Sequence, residues 1–125
     1  MGSWESSINT DDVFVDVYAL FWAHYNMGAP ADIAAAEVKQ DLAESFEDDD
    51  DRYAAHYALA LARWETRSLE PDLLMKVADF IETGADLRNW ADRNGSGDDL
   101  AARGTALATF LEKIRTPRPT KKRRT

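Results

Sequence analysis

The stretch Val13-Phe14-Val15-Asp16-Val17-Tyr18-Ala19-Leu20-Phe21-Trp22-Ala23-His24-Tyr25 decides the fold class. Its first five residues alternate as a strand would, but Phe14, Tyr18, Phe21 and Tyr25 then recur at spacings of four, three and four. Val17 and Trp22 flank that row, so the apolar residues form one broad stripe of helical period, and the pattern runs too long for a strand. Asn9-Thr10-Asp11-Asp12 supplies capping side chains and early carboxylates ahead of it, which suits the positive end of a helix dipole. A helix is predicted here.

Working outward, Asn26-Met27-Gly28-Ala29-Pro30 reads as a stop and restart, with glycine in a left-handed cap and proline in a first turn. The second helix is predicted to run to about Phe46, with Ala34, Val38, Leu42 and Phe46 inward. Glu47 and the run Asp48 to Asp51 separate it from a third helix, whose stripe is Tyr53, Tyr57, Leu61 and Trp64. Pro71 opens a fourth, carrying Leu74, Val77, Ala78 and Ile81, and Gly84 closes it. Leu87 and Trp90 predict one further short turn. Asn94-Gly95-Ser96-Gly97 predicts a flexible break, and Leu100, Gly104, Leu107, Leu111 and Ile114 trace the fifth helix.

The expectation is an all-α, single-domain bundle of about five helices over residues 1–114, arranged as an antiparallel bundle or as two stacked helical hairpins. Tyr18-Ala19-Leu20 and Tyr57-Ala58-Leu59 recur 39 residues apart, the one trace of a duplicated hairpin. Gly104 inside the last stripe either permits a close helix contact or is a tolerated defect. Residues 115–125 are expected to form a disordered basic tail, since Pro117 to Thr125 carry no face to bury.

Composition bounds the function. Thirteen aromatics in 125 residues (four Trp, four Tyr, five Phe) supply the apolar area of a folded core. With no cysteine there can be no disulfide, thiolate metal site or cysteine nucleophile. No signal-peptide pattern or apolar run of membrane-spanning length occurs, so the expected location is cytoplasmic, away from membranes. Residues 1–114 carry 9 − 23 = −14, against six basic and no acidic residues beyond them. Such a body repels nucleic acid and steers basic partners toward itself, while the tail permits at most weak phosphate contact.

Candidate chemistry is sparse. Asp92-Arg93-Asn94-Gly95-Ser96-Gly97-Asp98 matches the first half of a calcium-binding loop, but Asp99 stands at the apolar eighth position. Arg103 stands where the bidentate Glu belongs, so a polar interhelical loop is the simpler reading. Consecutive carboxylates at Asp48 to Asp51 point in different directions and read as solvated charge rather than a cation site. His24 and His56 fall on different helices without metal-ligand spacing, and read as structural. Trp64 and Trp90, near Arg63, Arg67 and Arg88, read as core packing more readily than as a pocket. No nucleophile elbow or phosphate-cradling loop is visible, so no catalytic residue, cofactor or metal is assigned.

The opening Met1-Gly2-Ser3-Trp4-Glu5-Ser6-Ser7, followed by Asp11-Asp12 and Asp16, resembles a family of small bacterial proteins of unknown function. That family opens with Met-Gly-x-Trp-Gly-x-Gly and an acidic pair, and here Glu5 and Ser7 replace two of the glycines. The middle of the chain (Leu59 to Ala62, Trp64, Leu69, Ile81, Gly84, Asp86-Leu87, Trp90) is similar as well. So is the end, where Arg103, Leu107 and Leu111 precede a Pro-x-Pro and basic tail. The resemblance spans most of the chain and implies a shared fold without an assigned activity.

The sequence therefore points to a non-catalytic binding protein for a basic protein partner, in its most concrete form an immunity protein neutralising a bacterial toxin or effector. Glu47, Asp48, Asp49, Asp50 and Asp51 are the expected contacts, chosen on charge. The alternatives are a metal-assisted enzyme using the acidic loop or the Asp92 region, and a helical-repeat adaptor docking peptides near Trp64 and Trp90.

Overall fold

The computed structural model describes residues 12–94, 98–118 and 120–121, apart from the side chains at 93, 94, 98 and 99. Every regular element among them is a helix: α1 (Asp12–Asn26), α2 (Ala31–Asp41), α3 (Ala43–Glu47), α4 (Arg52–Glu65), α5 (Pro71–Glu82), α6 (Ala85–Asn94) and α7 (Asp98–Arg115). The all-α reading therefore holds, with seven helices among the described residues rather than about five. The predicted second helix breaks at Leu42, whose φ of −118° and ψ of 33° interrupt the helical backbone and set α3 apart from α2. The short turn expected around Leu87 and Trp90 is a helix of ten residues.

The helix boundaries fall where the local chemistry puts them. Gly28 has φ +107° just past α1, and Gly84 has φ +78° just past α5. Both are left-handed conformations in which a Cβ crowds the following carbonyl. A Cβ on Gly84 would also lie 3.3 Å from the Arg88 guanidinium. Gly84→Ala is thus expected to cost about 1 kcal/mol, measured as a fall in the urea midpoint. Pro71 occupies the first turn of α5, where its missing N–H has no helical partner to lose.

Of the stripe predicted on α1, Phe14, Val17, Phe21, Trp22 and Tyr25 face the core, while Tyr18 is only half-buried. Their rings interlock, Phe21 stacking on Tyr25 at 5.9 Å and meeting Trp22 edge-on at 6.0 Å. On α4 the amphipathic reading fails. Tyr53 through Arg63 are buried without interruption, because α1, α2, α3, α5 and α7 all pack against this one helix. Its alanines at 54, 55, 58, 60 and 62 make that possible, since a small side chain lets neighbouring helices close in on every side.

On α7 the buried set is Ala106, Leu107, Phe110, Leu111 and Ile114. Phe110, fully buried and 5.6 Å from the Tyr57 ring, lies off the predicted stripe. A Cβ on Gly104 would sit 3.6 Å from Leu87, an ordinary contact, so the glycine is not needed for the α6–α7 approach. Tyr18-Ala19-Leu20 and Tyr57-Ala58-Leu59 sit in different environments. The second triplet is wholly buried, while Ala19 is exposed and Tyr18 and Leu20 are half-buried.

Two polar clamps lock the helices. Asp86, 1% exposed at the start of α6, accepts from the Tyr57 hydroxyl at 2.7 Å and from Arg103 Nε and Nη2 at 2.7 and 2.9 Å. One carboxylate thereby joins α4, α6 and α7. Arg63, 5% exposed, bonds Asp32 of α2, the Ser68 carbonyl and Glu70 before α5. No helix among the described residues is long and apolar enough to cross a membrane.

Candidate functional site

The acidic run sits on the connection leading into α4, at the positive end of that helix, as its position in the sequence implied. The Asp48 carboxylate accepts from the backbone N–H groups of Asp50 and Asp51, both at 2.9 Å, which ties the turn just ahead of α4. Asp50 accepts from Asn89 Nδ2 of α6 at 2.8 Å, pinning the loop to the body of the fold. Glu47, Asp48, Asp49 and Asp50 are exposed and Asp51 is half-buried. Glu47 closes α3, and Asp48 to Asp51 form one acidic turn between it and α4. Residues 37–51 hold eight acids and one base, 1 − 8 = −7, or half of the −14 carried by residues 1–114.

The half-match to a calcium loop ends in a structural role. Residues 95–97 lie outside the described residues, but Arg103, at the position of the missing Glu, turns inward to clamp Asp86. Among the described residues no group of three or more His, Asp or Glu is placed to hold a metal ion.

Trp64 lines a cleft of about 370 Å³ with Leu69, Leu74 and Ile114, a cleft to which Trp90 does not contribute. The chain covers Trp64 itself. The indole N–H donates to the Thr116 carbonyl at 2.7 Å, and Lys113 and Arg118 lie 5.4 and 5.2 Å from the ring centre. The first residues of the segment expected to be disordered are thus in contact with the helical body, while Pro119 and Lys122 to Thr125 lie outside the described residues. Another cleft, about 560 Å³, runs between α5 and α7 over Ile81, Leu107 and Leu111.

Sequence reading missed one constellation. A cleft of about 250 Å³ between α2, α4 and α5 is lined by Lys39, His56, Leu59, Arg63, Glu70, Asp72, Leu73 and Lys76. His56 is 7% exposed, its ring held edge-on between Phe46 at 5.1 Å and Phe80 at 5.4 Å. Its Nδ1 lies 2.6 Å from the Arg52 carbonyl oxygen, which only accepts, so Nδ1 carries the hydrogen and Nε2 keeps its lone pair. Burial first, then the nearby charges of Lys76, Lys39 and Arg52, hold the imidazole pKa below its ordinary value, against the pull of that backbone bond. Lys39 and Lys76 make no ion pair with any described residue, in a chain with 23 acids. Nothing in the sequence announces this group, since its cationic members come from three helices with no shared spacing.

Two tyrosine hydroxyls are also displaced upward in pKa: Tyr57 by burial and the Asp86 charge, and Tyr18 by burial and its 2.5 Å bond to Glu65. Both therefore remain protonated donors that fasten helices together. No family model matches the chain, and no curated protein or solved structure matches it either.

Proposed function

We propose that this chain is a non-catalytic binding protein that captures a basic protein, acting in a bacterial cytoplasm as an immunity protein that masks a toxin or effector. Glu47, Asp48, Asp49, Asp50 and Asp51 form the contact turn. The observation that carries the reading is that the carboxylates are dense and that the turn bearing them is held in place at Asp48 and Asp50. Asp48 holds the turn against its own backbone, and Asn89 holds it against α6. A charged turn already held in place loses less conformational entropy on binding, so more of the Coulomb attraction survives as affinity. The same charge accelerates encounter with a cationic surface. The wider acidic domain, residues 1–114, belongs to the same proposal, as does membership in the family whose opening and C-terminal pattern the chain resembles.

The test is recovery of a partner on a tagged copy in the native host at low and moderate salt. The control variant changes Asp48, Asp49, Asp50 and Asp51 to Asn, which keeps a capping oxygen at position 48 and so preserves the turn. A stoichiometric basic partner is expected from the parent chain, with binding that weakens as salt rises and disappears in the variant. Screening over a Debye length of about 8 Å at physiological salt sets that dependence. A partner retained equally by the variant, or none at either salt, overturns the reading.

A further inference from the structure

The cleft between α2, α4 and α5 stands apart from the acidic turn. In a chain of net charge −8, it gathers three cations around a buried imidazole. Arg63 is already satisfied by Asp32, Glu70 and the Ser68 carbonyl, so it forms a fixed wall rather than a free ligand. Lys39 of α2 and Lys76 of α5 are exposed and make no ion pair with a described residue. Asp72 of α5, also on the lining, makes no ion pair with a described residue, and Leu59 and Leu73 supply the apolar part. His56, more than nine-tenths buried, has committed Nδ1 to the Arg52 carbonyl, so Nε2 is the polar atom it can offer the cleft.

The ligand chemistry follows from those groups. Two ammonium groups call for an anion, and a neutral imidazole with a free lone pair calls for a donor. Inorganic phosphate near neutral pH satisfies both, because its hydrogen-phosphate forms keep an O–H; a monoester keeps one in its monoanion, which the lysine-lined cleft would take up around and below a second ionisation near about pH 6. A carboxylate or a sulfate brings the charge without that hydrogen. The cleft, about 250 Å³, is larger than a bare phosphate and has two leucines on its lining. Those leucines suit the few carbons of a small ester.

We propose that this cleft binds a phosphate group, free or carried by a small monoester, with Lys39 and Lys76 holding its oxygens and His56 Nε2 accepting its O–H. The bound anion offsets the lysine field on His56, so binding also raises the affinity of the imidazole for a proton. The charged groups that set this balance are Lys39 from α2, Arg52 and Arg63 from α4, Glu70 ahead of α5, and Asp72 and Lys76 from α5.

The experiment is proton NMR of the full chain, which contains two histidines, with His24 on α1 as the internal control. The probes are inorganic phosphate, glycerol phosphate and sulfate. Phosphate is expected to move the His56 ring resonances saturably and raise their titration midpoint, while those of His24 stay put. Sulfate is expected to bind about tenfold more weakly, the cost of leaving Nε2 without its donor. Lys39→Gln and Lys76→Gln, both at exposed positions, are each expected to weaken phosphate several-fold without lowering stability. Glycerol phosphate binding more tightly than phosphate identifies the monoester as the ligand class, and the reverse order identifies the free ion. Unmoved His56 resonances, equal affinity for sulfate and phosphate, or lysine variants that bind as the parent does would each overturn the proposal.

Discussion

Asp86→Ala is expected to destabilise the fold by about 3–5 kcal/mol, the scale for removing one partner of a buried ion pair. The carboxylate is 1% exposed and carries bonds from Tyr57, Arg103 Nε and Arg103 Nη2. Removing it strands a guanidinium and a phenol at the junction of α4, α6 and α7, and the stranded groups cost more than the lost bonds were worth. A domain of this size has roughly 5–15 kcal/mol to lose, so the variant should unfold at markedly lower urea with an unchanged slope. The companion variant Asp86→Leu with Arg103→Met removes both charges at once and is expected to recover most of the loss. A double variant no more stable than Asp86→Ala would mean that the pair, rather than the stranded charge, supplies the stability.

The second large effect is in the aromatic layer. Phe21→Ala is expected to cost about 3–5 kcal/mol, because a fully buried ring leaves a cavity that its neighbours only partly fill. Phe21 stacks on Tyr25 and meets Trp22 edge-on, and α1 and α4 share the most extensive helix interface in the fold. The cavity therefore opens in the main seam of the core. Urea unfolding of the variant beside the parent measures it. A loss below about 1 kcal/mol would mean that α1 re-seats on α4, the kind of local collapse that makes such costs vary from site to site.

What was legible follows from the range of the interactions. Helix starts and stops at Gly28, Pro71 and Gly84 were readable because each depends on the φ preference of one residue. The α1 stripe was readable because its period is set by the helix itself. The break at Leu42 was not, since nothing in Ala31 to Phe46 interrupts the apolar spacing and no glycine or proline marks it. The uniform burial of α4 was hidden for a different reason. Its buried positions off the predicted stripe are five alanines, Leu59, His56 and Arg63; alanine is equally at home on a surface or in a core, and an arginine reads as exposed until its partners are known.

The candidate sites divide in the same way. Charge density at Glu47 to Asp51 is a property of adjacent residues, so the acidic turn was visible in the sequence, although the Asn89 contact that fixes it was not. The sequence by itself determined the all-α class, most helix ends and the acidic surface, because local backbone preference and side-chain period act within a few residues. Only the tertiary structure decided that Arg103 completes a buried clamp with Asp86, and that Lys39, His56 and Lys76 share one cleft. Those groupings depend on how separate helices pack around α4, and packing distances between distant residues leave no spacing in the chain to read.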